Sequence, residues 1–314
     1  MVRIGKAEAY RFLTEHESFL LVGHVHPDGD DIGSLVALQN MLRAMRKRAD
    51  AVLGDPVPSY LSFIPSAKEI GTAIVAGVTY DAMIFTDLAN LERGGDFDFP
   101  KVPTLCIDHH GTNEGYADFL WLEADYAAAS EMVAELAFTY DLPLDEDALN
   151  ALYMGIGTDS GFFKFSNTSA HTLLMASKLV ERGAKPAFIS NHLDVVTEAS
   201  MEVSRRVIGT LSRGYDGKLA MAELDAVSMD MDGENSDYYA DIPRKLEGVE
   251  LAVLLKYESE KRTRVSLRSR EYADVAAMAA EFGGGGHVRA AGCTLSCSLS
   301  EARAQLFTAA EKYL

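Results

Sequence analysis

The sequence predicts an α/β protein: an N-terminal, mostly parallel sheet flanked by helices, then a smaller α/β domain. Three observations carry this. Short apolar runs alternate with helical segments through the first 190 residues, the pattern of a sheet buried on both faces. Three of those runs end in Asp or His; one such end is commonplace, but three in one sheet are hard to dismiss as helix caps. Beyond the region 185–200 the pattern changes to longer strand-like runs and a block of four glycines.

Taken in order, Lys6 to Glu17 reads as a short helix, and Phe19-Leu20-Leu21-Val22 as a buried strand. Gly23 to Ser34 then packs His24, His26, Asp28, Asp30 and Asp31 around Pro27 and Gly29, which places the acids on a turn. Carboxylates this close raise one another's pKa unless cations neutralise them, so the stretch is either a metal site or an exposed acidic turn. Ile32 to Arg48 follows as a helix, with Leu35, Leu38, Leu42 and Met45 on one stripe. Ala51 to Leu53 is a second strand, and Pro56, Pro58 and Pro65 mark the loop after it. Asp81 to Asp87 and Pro103 to Asp108 are a third and a fourth, the last running into His109 and His110. Each such acid alone reads as a helix cap. Three acidic strand ends in one parallel sheet point instead to the crevice where such sheets bind ligands.

Helices are expected at Ala127 to Tyr140 and Asp145 to Gly157, the second entering a glycine-punctuated turn that carries Asp159. Further helices span Ser169 to Arg182 and Ala187 to Leu211. Strands follow at Leu219 to Leu224, Val249 to Tyr257 and Arg262 to Arg268, with an acidic loop over Met229 to Asp237 between them. Val275 to Phe282 is amphipathic and leads into Gly283-Gly284-Gly285-Gly286-His287. Four glycines are entropically expensive. They read as an amide nest against a phosphate with His287 beside it, or as a structural turn. Arg264 and Arg268 share one face of their strand.

Composition narrows the function classes. The chain has 314 residues, 48% of them hydrophobic, and a net charge of −18. That charge disfavours a protein that wraps long nucleic acid, because such affinity rests on Lys and Arg neutralising phosphates. Residues 244–289 nonetheless hold nine basic and seven acidic side chains, a local net of +2 that suits a small anion. No apolar run is long enough to span a bilayer, and the start of the chain lacks a signal-peptide core, so no membrane association and a cytoplasmic location are expected. Three cysteines, Cys106, Cys293 and Cys297, make no disulfide framework.

These motifs resemble the DHH phosphoesterases that carry a C-terminal DHHA1 domain, nearest to the nanoRNase/pAp phosphatase type. The resemblance rests on His24-x-x-Pro27-Asp28-x-Asp30 with Gly33-Ser34, on Asp87, and on Asp108-His109-His110. Gly157 to Gly161, Arg264 to Ser269, and Gly283 to His287 with Ala290-Ala291-Gly292 extend it over nearly the whole chain. It implies a DHH catalytic domain over 1–190, a helical linker over 191–205 and a DHHA1 substrate domain over 206–314, with the active site in the cleft between the domains.

It also implies two divalent metal ions, Mn²⁺ by preference with Mg²⁺ or Co²⁺ as alternatives. His24, Asp28 and Asp87 would hold one; Asp30, Asp87, His109 and Asp159 would hold the other, with Asp87 bridging. The donor set suits such ions independently, being carboxylate and imidazole without thiolate. His110 would meet the scissile phosphate or protonate the leaving oxygen, and Asp108 would orient a histidine. Arg268, Ser269, Gly284, Gly285, Gly286 and His287 would bind the substrate. The implied reaction is hydrolysis of short oligoribonucleotides to mononucleotides, and of 3′-phosphoadenosine 5′-phosphate (pAp) to AMP, by hydroxide bridging the two metals. A homodimer is compatible with it.

Two positions depart from the family pattern. Asp31 stands where a small residue is usual, and His26 where Asn is frequent. Asp31 is expected to face the helix dipole. Rival readings are a stand-alone cyclic di-AMP or pApA phosphodiesterase, a family II-like inorganic pyrophosphatase, and a nucleotide-binding module without activity.

Overall fold

The computed structural model describes residues 1–233, 236 and 238–314. The chain divides into two compact units, Met1–Val195 and Val196–Leu314. Among the described residues, no helix is long and apolar enough to cross a membrane.

The first unit runs β1 (Val2–Ile4), α1 (Lys6–Glu15), β2 (Ser18–Val22), α2 (Gly29–Ala44), β3 (Arg48–Val52), β4 (Ala82–Thr86), β5 (Thr104–Asp108) and β6 (Phe119–Leu122). Helices α3 (Ala129–Thr139), α4 (Glu146–Asp159), α5 (Ala170–Arg182) and α6 (Pro186–Leu193) complete it. The sheet order is β1-β6-β5-β4-β2-β3, and every pairing is parallel. Alternate strand residues feed two cores. Phe19, Leu21, Ile84, Leu105 and Ile107 pack on one side with Ile32, Leu35 and Leu38 of α2. Leu20, Val22, Met83, Phe85 and Cys106 pack on the other. Burial on both faces explains why these strands read as continuous apolar runs.

Topology places the site. From β2 the chain crosses to β3 on one side, and then returns to build β4, β5 and β6 on the other. The switch between β2 and β4 is where an open parallel sheet leaves a crevice at its carboxyl end. Register aligns what stands there. Val22 pairs with Phe85 and Thr86 with Ile107, so His24, Asp87 and Asp108 follow in nearly one row.

Several boundaries differ from the sequence reading. Helix α2 starts at Gly29, so Asp30 and Asp31 lie in its first turn, and it stops at Ala44. Asp28 causes the early start. Its carboxylate accepts from the amides of Asp30 and Asp31, satisfying donors that a helix start leaves unpaired. Helix α4 likewise continues through Asp159 where a turn was expected. Strands β1 and β6, three and four residues long, were not foreseen.

The second unit contains α7 (Glu198–Gly209), β7 (Ser212–Gly214), β8 (Leu219–Leu224), α8 (Ala226–Asp232), α9 (Asp241–Arg244), β9 (Leu251–Ser259) and β10 (Arg262–Ser269). It ends with α10 (Val275–Ala280), β11 (Gly285–His287), β12 (Ala290–Leu295) and α11 (Leu299–Ala310). Its sheet order is β11-β12-β10-β9-β8-β7, parallel only between β8 and β9. The loop expected over Met229 to Asp237 is helical as far as Asp232, and residues 234, 235 and 237 lie outside the described set. Glu250 is buried, and its carboxylate accepts from the amides of Glu271, Tyr272 and Ala273 at 2.7–3.1 Å. That fixes the turn that follows β10.

Candidate metal centre

Asp87 is the meeting point. It follows β4 with φ 53°, a left-handed backbone that Asp tolerates better than most residues. Its two oxygens face different partners. Oδ2 lies 3.3 Å from His24 Nε2, while Oδ1 lies 3.3 Å from His109 Nε2 and 3.4 Å from His110 Nδ1. Asp28 Oδ2 approaches His24 Nε2 at 3.9 Å. Asp30 Oδ2 and Asp159 Oδ2 approach His109 Nε2 at 3.8 Å and 3.3 Å. Donor atoms of His24, Asp28 and Asp87 all lie within 4.8 Å of one another, and so do those of Asp30, Asp87 and His109. The two ligand triads therefore share Asp87.

The rear contacts of the imidazoles suit ligation. His109 Nδ1 is 3.2 Å from the Tyr126 carbonyl, which turns Nε2 towards the acids. His24 Nδ1 lies 2.9 Å from the Val25 carbonyl and 3.1 Å from Arg93 Nη2. A carbonyl only accepts and a guanidinium only donates, so Nδ1 bonds one of them at a time. With its proton on Nδ1 and directed at Val25, His24 offers the Nε2 lone pair.

Electrostatics point the same way. Burial pushes Asp30 up to about 7, helped by Asp87. Burial also raises Asp159, with Asp30 adding to it. At Asp87 the histidines outweigh burial and hold the carboxyl well below its usual range. Burial lowers His24, but Asp31, Asp87 and Asp28 outweigh it and carry the imidazole up to about 10. His109 is raised in the same way, chiefly by Asp87. This many buried acids must hold protons or cations, and a divalent cation displaces protons from such a set. The donors present fit the hard divalent ions.

The other expected residues sort by distance. His110 Nδ1 is 2.8 Å from Asp108 Oδ1, and Asn113 Nδ2 holds Asp108 Oδ2 at 2.6 Å. Burial opposes ionisation of Asp108, but His110 and Asn113 prevail and lower its pKa. His26 is exposed and turned onto Asp55, with φ 56°, outside the cluster. Asp31 does stand in the first turn of α2, but it is fully buried and Oδ2 accepts from the His24 amide at 3.1 Å. Gly23 admits it, since a Cβ there would strike the Asp31 carboxylate. From that first-turn position Asp31 also braces the strand end.

In the second unit, Arg268 Nη1 donates to the Leu267 carbonyl at 3.1 Å, and the Ser269 amide donates to Arg289 O at 3.0 Å. The glycine run is structural at three of its four positions. Gly283 and Gly286 have φ of 73° and 138°, and a Cβ on Gly284 would strike Gly292 O. A Cβ on Gly285 meets nothing within 4 Å. The amides of Gly283 and Gly284 donate to Ala280 O and Ala279 O, so they are committed to capping α10. From Gly285 the chain continues as an edge strand ending at His287.

Arg93, Asn113 and the Tyr126 carbonyl were not found from sequence. An isolated Arg or Asn in a loop carries no spacing signal, and a backbone carbonyl carries none at all.

This fold and this cluster define a class: an α/β protein whose sheet end presents a shared-carboxylate centre suited to divalent cations. The chain belongs to the DHH family. Residues 18–156 match the DHH family N-terminal domain and residues 216–314 the DHHA1 domain. Among relatives, the chain is 32% identical to the bifunctional oligoribonuclease and PAP phosphatase NrnA of Thermus thermophilus, across 87% of this chain and 82% of that one. It is 27% identical to the protein of the same name from Bacillus subtilis, across 92% and 93%. A solved exopolyphosphatase-related protein from Bacteroides fragilis shares the fold, with a TM-score of 0.86 and 22% identity across 98% and 96% of the two chains.

Proposed function

We propose that this protein is a hydrolase of phosphoester bonds that cleaves short oligoribonucleotides to mononucleotides and pAp to AMP, using two divalent ions, Mn²⁺ first among them. The observation that carries this is Asp87, whose two oxygens address two separate ligand sets. The names of the Thermus and Bacillus relatives, which match over most of their length, supply the substrate class.

His24 and Asp28 would hold one ion, and Asp30, His109 and Asp159 the other, with Asp87 common to both. Ions so held supply Lewis acidity towards a phosphoryl oxygen and lower the pKa of water. The chain's own groups do the rest. Asp108 stays anionic and anchors the His110 ring through Nδ1. His110 then serves as the general acid that gives its proton to the leaving oxygen. In the second unit, Arg268, Ser269, Gly285, Gly286 and His287 are the proposed nucleotide-binding residues, while the Gly284 amide is already held by Ala279 O.

The test is an assay of metal-stripped protein with added MnCl₂ against pAp, diadenylate (pApA), cyclic di-AMP and pyrophosphate. AMP from both pAp and diadenylate is the expected result. Turnover of pyrophosphate alone, or of none with metal bound, would overturn the reading.

A further inference from the structure

One turn serves two ligands of the same proposed ion. The amides of Ala129 and Ser130 donate to Asp30 Oδ2 and Oδ1 at 2.6 Å and 2.7 Å, and the Tyr126 carbonyl sits behind His109 at 3.2 Å. Five consecutive residues, 126–130, thus set the direction of both side chains. Three of them are alanines, and the N-cap Ala128 brings no capping side chain. The turn must be held from outside.

Glu131 holds it. This carboxylate is fully buried beneath the turn. Its Oε2 accepts from the Ala127 amide at 2.9 Å and from Thr172 Oγ1 at 3.0 Å, and its Oε1 meets His171 Nδ1 at 2.6 Å. His171 and Thr172 both lie in the first turn of α5, so Glu131 ties that helix to the turn. The Tyr126 hydroxyl adds a bond to Glu135 Oε2 at 2.9 Å, and Lys6 Nζ reaches Glu135 Oε1 at 2.7 Å. Among the described residues, the two ligands peculiar to the other set, His24 and Asp28, make none of these contacts. His24 and Asp28 are positioned by Val25, Arg93 and the amides of Asp30 and Asp31.

We infer that Glu131 and His171 are positioning residues for one metal position only, the one formed by Asp30 and His109. This rests on the two-ion reading above. Neither residue is a ligand: Ala127, Thr172 and His171 occupy both oxygens of Glu131, and Glu131 in turn holds His171 Nδ1. They act by fixing the turn from which Asp30 and His109 take their direction. Residues behind metal ligands commonly change affinity by tenfold to a hundredfold. The effect here falls on one ion of two.

The experiment is a calorimetric titration of the metal-stripped full chain with MnCl₂, alongside thermal unfolding without metal. Asp30→Asn identifies which binding step belongs to this position. Glu131→Gln and His171→Ala should weaken that step about tenfold or more, and leave the other within about twofold. His171→Asn, whose amide donates where Nδ1 does, should recover most of the loss. Should Glu131→Gln not fold, the His171 pair decides alone, since that side chain is about one-third exposed and its removal spares the core. Unchanged affinity at both steps, or equal weakening of both, overturns the assignment. A wild-type chain that binds no Mn²⁺ instead removes the metal reading, and this inference with it.

Discussion

Each unit of this protein buries a carboxylate at a strand end, and the two are used in opposite ways. Glu250 in the second unit is surrounded by backbone amides, which donate to it and never titrate. Asp87 in the first is surrounded by three imidazoles and further acids, all of which exchange protons. Burial alone therefore does not mark a functional acid. What marks it is whether the neighbours are fixed dipoles or groups that change charge.

The predictions press on that contrast. Asp87→Asn should cost the most, at least about a thousandfold in kcat/KM, or roughly 4 kcal/mol in the transition state. It should also abolish tight binding of Mn²⁺, as read by calorimetry. Retained binding of two ions would break the comparison. Glu250→Gln should leave Mn²⁺ binding intact but lower the unfolding free energy of its unit by about 1–3 kcal/mol, because the new NH₂ faces amide donors. Denaturant melts of the full chain would show it. Asn113→Ala should reduce kcat about tenfold, or about 1.4 kcal/mol, with KM little changed. It frees one oxygen of Asp108 and removes a bond that lowers its pKa, so the acid limb of the pH–rate profile should move to higher pH. Smallest is Gly285→Ala, within about 0.5 kcal/mol in thermal unfolding. Gly284→Ala should differ sharply from it, through its clash with Gly292.

The sequence exposed what depended on residue type. The apolar run Phe19 to Val22, the acids after it and the ends at Asp87 and Asp108 all combine burial with chemistry, and the structure gathers them at the switch point. It concealed what depended on backbone. Strand β1 is mostly exposed and three residues long, so no alternation could reveal it. The start of α2 was hidden because Pro27 and Gly29 looked like breakers, whereas Asp28 caps a helix that Gly29 begins. Asp31 was expected at the helix start, where it stands, but its bond to the His24 amide was not legible. Only the third dimension shows that Gly23 leaves room for its carboxylate. The glycine run was the reverse case, a conspicuous signal whose main demand is steric.

The φ of 53° at Asp87 carries a last consequence. Left-handed backbone is open mainly to Gly, Asn, Asp and His, and only one of these brings a carboxylate. The position is thus chosen twice, by its charge and by the bend of the chain beneath it. Asp87→Glu would keep the charge and lose the bend, while Asp87→Asn and Asp87→Gly would keep the bend and lose the charge. A chain that drifts at this residue has no intermediate step, so the route out of the activity is abrupt.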